Sequence, residues 1–293
     1  MSEHTGAVVV GVDGSEGAVD AVRWAAAVAA GYEAPLHIVH AMPSVGYNLT
    51  DAAAAIRAAA MAYQSESAEE IVRGAVDAVR ARHADLAVTT ESADSPADET
   101  LLRHAGAARM IVVGSTQVTR AGAVLIGSTT LAVATHASCP VVAWRGPNTE
   151  PTDQPIVVGV DGTESAQRAL GAAFEFADRF GAPVSAVRSW SIPGPVAALS
   201  NPLLIDFDAL EGAEWATLAD LVDGHNKAHP HVRASCFIEQ EGPAAALLHH
   251  IETDRAQMVA VGSRGRTALA SALLGSTALN LLNHATVPVM ICR

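Results

Sequence analysis

The chain repeats itself at an offset of 148 residues, and this repeat constrains the fold more than any other feature. Val9–Gly14 and Val157–Gly162 share the six letters VVGVDG, and the register persists to the end of each copy. In that register Gly127-Ser128-Thr129 falls on Gly275-Ser276-Thr277. A period of this length far exceeds the roughly 20 to 50 residues of solenoid repeats. Each copy is therefore predicted to be a complete domain.

The segment between the copies has the composition of an exposed linker. Residues 145–155 contain three prolines and no apolar periodicity, which is typical of a connection rather than a helix or strand. We expect a first domain at 1–146, a linker at 147–154 and a second domain at 155–293.

Within each copy, short β-branched runs bounded by Gly or Pro alternate with alanine-rich stretches. This order is expected of βαβ units around a buried parallel sheet with helices on both faces. The sequence therefore predicts two doubly wound α/β domains, although periodicity leaves the strand order open. The predicted strands are Ala7–Val12, Leu36–His40, Leu86–Thr90, Met110–Val113 and Pro140–Trp144 in the first copy, and Ile156–Val160, Val184–Arg188, Val232–Ile238, Met258–Val261 and Pro288–Cys292 in the second.

The charge balance excludes several classes of partner. With 18 Lys and Arg against 31 Asp and Glu, the net charge is −13, so nucleic acid and anionic membranes are not expected to bind. The uncharged stretch Thr267–Cys292 is not predicted to span a membrane, because it contains two asparagines, a histidine and Pro288. The start of the chain lacks a secretory signal pattern, and three cysteines form no C-x-x-C pair or even disulfide set. A cytoplasmic location is expected.

The segment from Gly262 to Ser276 suits a phosphate chain. Gly262 and Gly265 lack a Cβ, so the loop after the fourth strand can adopt positive φ and bring N–H groups close to anionic oxygens. Gly275 and Ser276 then begin a helix, whose first N–H groups and positive end favour anions, while the Ser276 hydroxyl can cap the helix or contact phosphate. Arg264 and Arg266 add positive charge.

Asp13 and Asp161 each follow a first strand, at the edge where an open α/β sheet presents ligand-facing side chains. A carboxylate there can accept hydrogen bonds from a ribose or a base. It can equally cap the following turn, because Asp-Gly is a common turn pair. The residues alone leave both roles open.

These motifs together resemble the universal stress protein family in its tandem-domain form. The resemblance covers both copies nearly end to end and rests on Val-Gly-Val-Asp-Gly-Ser or -Thr at the first strand, followed later by Gly-x2-Gly-x9-Gly-Ser. It implies a Rossmann-like sheet ordered 3-2-1-4-5, as in adenine nucleotide alpha hydrolases, and an ATP site, with or without Mg²⁺, between the first and fourth strands.

The resemblance also implies which residues bind the nucleotide. In the second copy Asp161 and the backbone near Ser189 would hold adenosine, with Gly262, Gly265, Gly275 and Ser276 around the phosphates. In the first copy the matching residues are Asp13, Ala41, Gly114, Gly127 and Ser128.

The first copy departs from the motif at one place. Gln117 stands at the position of Gly265, and Thr116 and Val118 replace the two arginines. A side chain at 117 can block the backbone, although Arg120 and Gly122 nearby offer partial compensation. We expect the second copy to bind ATP more tightly.

Three functions compete at this stage. The first, which the resemblance favours, is an ATP-binding sensor or regulator of the stress response with an unidentified protein partner. The second is an enzyme, either an ATPase or a nucleotidyl transferase related by fold. Its turnover is expected to be slow, because no Walker lysine, Ser-His-Asp set or Ser-Gly-Gly-x-Asp-Ser loop is present and no catalytic residue is assigned. The third is a nucleotide-free interaction or chaperone-like module. A phospho-acceptor receiver is set aside, because Thr90-Glu91 and Ile238-Glu239 stand where it needs an aspartate.

Two further expectations concern assembly and metals. The fifth strands are apolar, and an exposed apolar edge invites pairing, so a homodimer through these edge strands is expected, in line with the family resemblance. No metal site is assigned, because His249-His250 lacks a set of further ligands at suitable spacing. Packing or solvent exposure is the expected role of these two histidines.

Overall fold

A computed structural model describes residues 6–42, 54–114, 126–190, 206–265 and 273–293. The chain forms two compact units, Met1–Pro151 and Thr152–Arg293. The expected linker at 147–154 includes this division, and its bounds stay a prediction.

The first unit is a five-stranded parallel sheet in the order β3-β2-β1-β4-β5. Its described helices connect consecutive strands. The strands are β1 (Val8–Val12), β2 (Leu36–Ala41), β3 (Val88–Ala93), β4 (Met110–Gly114) and β5 (Val141–Trp144), and the helices are α1 (Glu16–Gly31), α2 (Ala54–Arg80), α3 (Ala97–His104) and α4 (Ser128–His136).

The second unit has the same winding, with strand order β8-β7-β6-β9-β10. Its strands are β6 (Ile156–Gly159), β7 (Val184–Ser189), β8 (Ala234–Glu239), β9 (Met258–Gly262) and β10 (Val289–Cys292). Its described helices are α5 (Glu164–Phe180), α6 (Phe207–Ala228), α7 (Pro243–Thr253) and α8 (Ser276–His284). The predicted fold class and the order 3-2-1-4-5 are confirmed for both units.

Short, local sequence patterns determine which residues are buried and where the helices begin. Val8, Val9 and Val10 are fully buried in β1, as expected of a central parallel strand covered on both faces. Helices α1 and α5 begin with side-chain caps, in which Ser15 and Thr163 accept hydrogen bonds from the N–H groups three residues on. These caps fix the turn that follows each first strand.

The third strands differ from the prediction. They cover 88–93 and 234–239 rather than 86–90 and 232–238. Leu86 lies before the strand, in a turn in which its N–H donates to the His83 carbonyl. These strands are partly exposed, so an apolar run does not mark their limits. Their bounds are set by pairing with β2 and β7.

The fifth strands differ from the expected exposed edge, because all eight residues of β5 and β10 are buried within the chain. They offer a second chain no exposed apolar strip. Burial also raises the pKa of the Cys139 thiol, just before β5, to about 11. None of the described helices combines the length and the apolar composition that a membrane span requires.

Candidate functional site

A cavity of about 520 Å³ opens in the second unit at the carboxyl ends of β6 and β9. These two strands pair in parallel, with Val158 beside Ala260, so the loops that follow them meet at one edge of the sheet. The winding reverses here, because β7 lies on the other side of β6 from β9. Open α/β sheets bind ligands at this place.

The cavity brings together the residues that the sequence singles out. Seven of the eight predicted in the second copy line it, and the eighth, Arg266, lies outside the described residues. The seven are Asp161, Ser189, Gly262, Arg264, Gly265, Gly275 and Ser276.

Asp161 performs the structural role that the sequence left open. Its Oδ1 accepts hydrogen bonds from the Thr163 N–H at 2.9 Å and from the Thr163 hydroxyl at 2.6 Å. A Cβ placed on Gly265 would lie 3.4 Å from the other oxygen, Oδ2. One oxygen of the carboxylate therefore caps the turn, and the other faces the glycine loop of the cavity.

Gly262 is needed for a reason other than the expected one. Neither Gly262 nor Gly265 has a positive φ; in these turns the positive values belong to Gly14 and Gly162, which follow the aspartates. A Cβ on Gly262 would lie 2.5 Å from the Ser165 Oγ and 2.8 Å from the Ala166 N. The glycine permits the close approach of β9 to the start of α5.

The start of α8 is held against the glycine loop by the backbone. The Gly275 N–H donates to the Ser263 carbonyl at 2.8 Å, and the Ser165 hydroxyl donates to the Arg264 carbonyl at 3.0 Å. Gly275 is the N-cap residue, and no side chain caps α8, so the Ser276 hydroxyl does not have the capping role. The first residues of α8 line the cavity with their N–H groups uncapped by side chains, which suits an anionic ligand.

The other walls of the cavity are apolar. They include Val160, Val187, Leu247 and Val261, of which Val187 and Val261 come from the strands on either side of β6. An apolar slot beside a few fixed polar groups is the usual composition of a small-molecule site.

The first unit has a cavity of about 750 Å³ at the equivalent place. Asp13, Ala41, Gly114 and Gly127 line it, whereas Ser128 is not among the lining residues. Asp13 caps its turn as Asp161 does, since its Oδ1 accepts from the Ser15 N–H at 3.0 Å and the Ser15 hydroxyl at 2.6 Å. Residues 115–125, including Gln117, lie outside the described part of the chain.

The two cavities differ in charge. Among the described lining residues, the first has three carboxylates, Asp13, Glu16 and Asp20, and no lysine or arginine. The second has one carboxylate, Asp161, and one cation, Arg264. The described lining residues of the first cavity therefore repel a polyanion, whereas those of the second partly balance its charge.

Sequence analysis missed two residues that each contact the backbone at the end of a first strand, next to the two cavities. Arg188 and His40 occupy equivalent positions and are both buried. The His40 Nδ1 lies 2.8 Å from the Val12 carbonyl oxygen, and Arg188 lies 3.5 Å from that of Val160 while pairing with Glu214 at 2.5 Å. An alignment of the two copies shows that the two residues are equivalent, although one is a histidine and the other an arginine.

The expectation of packing or solvent exposure is confirmed, since His249 is exposed and His250 packs against Phe237, but His250 also makes polar contacts that the sequence did not indicate. It is buried, and its ring nitrogens lie 3.0 Å from Glu239 and 3.3 Å from Asp254. The contact arises because α7 packs on β6 and β7 and brings His250 to Phe237 and Glu239 of the neighbouring β8, a proximity that local spacing does not indicate.

The winding, with a glycine-lined cavity at the point where it reverses, defines a doubly wound α/β domain that is present twice. The model of the Universal stress protein family matches residues 5–145 and 154–293. The chain therefore belongs to the universal stress protein family.

Relatives of the same tandem form cover almost the whole chain. A universal stress protein of Mycolicibacterium smegmatis is 32% identical over 292 residues, covering 98% of this chain and 96% of the relative. One from Mycobacterium tuberculosis is 32% identical over 299 residues with the same coverage. The crystal structure of a universal stress protein from Archaeoglobus fulgidus has a TM-score of 0.69 at 19% identity and covers 98% of each chain.

Proposed function

We propose that the second unit binds ATP and that the chain acts as a nucleotide-dependent sensor or regulator in a stress response. The observation that carries the proposal is the convergence of seven predicted residues on one cavity at the reversal of winding. Membership of the universal stress protein family agrees with it.

The cavity has groups that suit both the adenosine and the phosphates of ATP. Asp161 Oδ2 would accept hydrogen bonds from the ribose, and the apolar wall suits a purine ring. The loop Gly262–Gly265, the uncapped start of α8 and Arg264 would hold the phosphates. Mg²⁺ would enter with the phosphates, because Asp161 is the one carboxylate among the described lining residues.

The residues that line the cavity favour ATP binding over rapid ATP hydrolysis. Among the described residues of this cavity, Asp161 is the one candidate general base, and its Oδ1 already accepts two hydrogen bonds from Thr163. We expect ATP hydrolysis to be slow, and a fast hydrolysis abolished by Gly265→Gln in a folded protein would overturn this part of the proposal.

Calorimetric titration of the full chain with Mg-ATP tests the site. We expect about one tight site per chain, which Gly265→Gln weakens by at least about tenfold. The Gln side chain would extend from a Cβ only 3.4 Å from the Asp161 Oδ2. The matched variant Gln117→Gly should leave the tight site unchanged.

Mass spectrometry of protein purified without added nucleotide separates the sensor from a nucleotide-free module. Co-purified adenine nucleotide that is lost in Gly265→Gln supports the proposal. Absence of nucleotide, together with no heat of binding in the titration, would sink it and leave the chaperone-like alternative.

A further inference from the structure

A second cluster of functional side chains lies in the first unit, outside both cavities. His37 of β2, Glu91 of β3 and His104 at the end of α3 each offer one ligand atom, and these three atoms all lie within 4.8 Å of one another. None of the three residues lines the cavity of about 750 Å³ in the first unit. Among the described residues, no other group of three or more His, Cys, Asp and Glu meets this condition.

The parallel register builds this cluster. His37 pairs with Thr89 across β2 and β3, and Glu91 lies two residues beyond Thr89, on the same face of the sheet. Helix α3 brings His104 against that face, with its Nε2 2.9 Å from the Glu91 Oε2. The His37 Nε2 lies 3.5 Å from the same oxygen.

These distances are near those of a metal site. Bonds of about 2.0 to 2.2 Å to a tetrahedral Zn²⁺ place neighbouring ligand atoms roughly 3.3 to 3.5 Å apart. The 3.5 Å distance from His37 lies at the upper end of this range and the 2.9 Å distance from His104 lies below it, so small rotations of the imidazole rings would admit an ion. Two imidazoles and one carboxylate form a ligand set that Zn²⁺ takes, with water at an open fourth position.

The neighbours of the cluster orient its ligand atoms. The Nδ1 of His37 lies 2.8 Å from the Thr89 hydroxyl, which leaves Nε2 directed at Glu91, and such a second hydrogen bond fixes the tautomer of a ligating histidine. Arg103 donates to the Glu91 Oε1 at 3.1 Å, so Oε2 is the oxygen turned to the imidazoles. Burial raises the pKa of Glu91, but His104, His37 and Arg103 outweigh it and lower the pKa overall.

The cluster is accessible from one side. The His37 side chain is only 2% exposed, whereas that of Glu91 is 29% exposed. Thr89 on the edge strand is exposed as well. An ion and its water ligand can reach the carboxylate from the edge of the sheet without opening the core.

The second unit offers an internal comparison. The positions equivalent to His37, Glu91 and His104 are Ser185, Glu239 and Glu252. There Glu239 binds a single imidazole, His250, whose two nitrogens both face carboxylates. The second unit thus has one imidazole between two carboxylates, where the first has two imidazoles converging on one carboxylate oxygen.

We propose that His37, Glu91 and His104 form a binding site for one Zn²⁺ ion, completed by water. The site is specific to the first unit and does not depend on nucleotide binding. Zn²⁺ would hold the end of α3 to the two outer strands of the sheet.

Zinc titration of the full, metal-stripped chain without a polyhistidine tag tests the site, with a chromophoric chelator as competitor. We expect one ion per chain, and a loss of affinity of at least about 100-fold in His37→Ser, His104→Gln and Glu91→Gln. Because His37 is buried, circular dichroism should verify that each variant is folded. The more exposed His104 and Glu91 variants test the site even where His37→Ser fails to fold.

The matched control is His250→Gln in the second unit, which should bind Zn²⁺ as the unchanged chain does. Thr89→Val, which removes the partner of the His37 Nδ1, should weaken binding by about 10- to 100-fold. Co²⁺ in place of Zn²⁺ should give visible absorption that all three ligand variants lose. Absence of a bound ion, or equal affinity in folded His104→Gln, Glu91→Gln and unchanged protein, would overturn the proposal.

Discussion

Gly262 shows how one missing atom constrains the loop after β9. Its missing Cβ leaves room for Ser165 and Ala166 at the start of α5, and that helix in turn carries the hydroxyl that binds the Arg264 carbonyl. The residue therefore shapes the loop indirectly, by letting β9 and α5 approach each other. Gly265, in contrast, has its nearest neighbour at ordinary contact distance.

These two glycines should respond differently to alanine. Gly262→Ala must displace backbone atoms, and we expect it to destabilise the protein by about 1 to 3 kcal/mol. Gly265→Ala should change stability little. Urea unfolding followed by circular dichroism measures both, and equal midpoints for the two variants would show that the close approach of β9 to α5 can relax freely.

At the scale of elements, the packing of α6 on α5 makes the stability of the second unit dependent on pH. His225 of α6 stacks on Phe174 of α5 with ring centroids 5.3 Å apart. Burial, and secondly the charge of His229, lowers the pKa of His225. His229 itself pairs with Asp178 of α5.

The sign of the pH effect follows from this lowered pKa. The unfolded chain takes up a proton at His225 more readily than the folded chain, so this contribution to stability is present above the unfolded value of about 6.5 and is lost as the pH falls below it. We expect His225→Phe to reduce the loss of stability between about pH 7.5 and pH 5.5. Urea midpoints at the two pH values measure it, with exposed His231→Gln as the control; an unchanged pH dependence in His225→Phe would contradict the assignment.

The sequence predicts some elements better than others, for a physical reason. The first and fourth strands are buried on both faces, so continuous apolar runs locate them to within one or two residues. The third strands lie at an edge, and their pairing sets their limits instead of their composition. The glycine loop and the start of α8 could be predicted because their motif lies within one short segment.

The remaining features, the His37–Glu91–His104 cluster and the contact of Arg188, depend on residues that are far apart in the sequence. Glu91 and His104 meet because α3 packs on β1 and β2 and ends beside β3, and His37 joins them through the register of β2 with β3. Arg188 reaches Val160 in the same way, across two neighbouring strands. No spacing in the sequence indicates these meetings, which is why the sequence predicted no metal ligand.

At the scale of the whole molecule, homodimer formation remains a prediction from the family resemblance. The eight residues of β5 and β10 are buried within the chain, so these strands provide no exposed apolar surface to support it. Light scattering at micromolar concentration should give twice the 30.1 kDa of one chain. A mass of one chain under those conditions would count against the homodimer.

The turn at the end of each first strand also bears on how such a duplicated chain diverges. Because Asp13 and Asp161 each cap their turn with one oxygen, selection for a folded domain alone is enough to retain them after a ligand is lost. Gly265 has no such structural role, because its nearest neighbour lies at ordinary contact distance, and Gln117 stands at its position in the first copy. Under the proposed function, the fold alone is therefore enough to retain the aspartate, whereas the residue at the position of Gly265 reports whether nucleotide binding is still under selection.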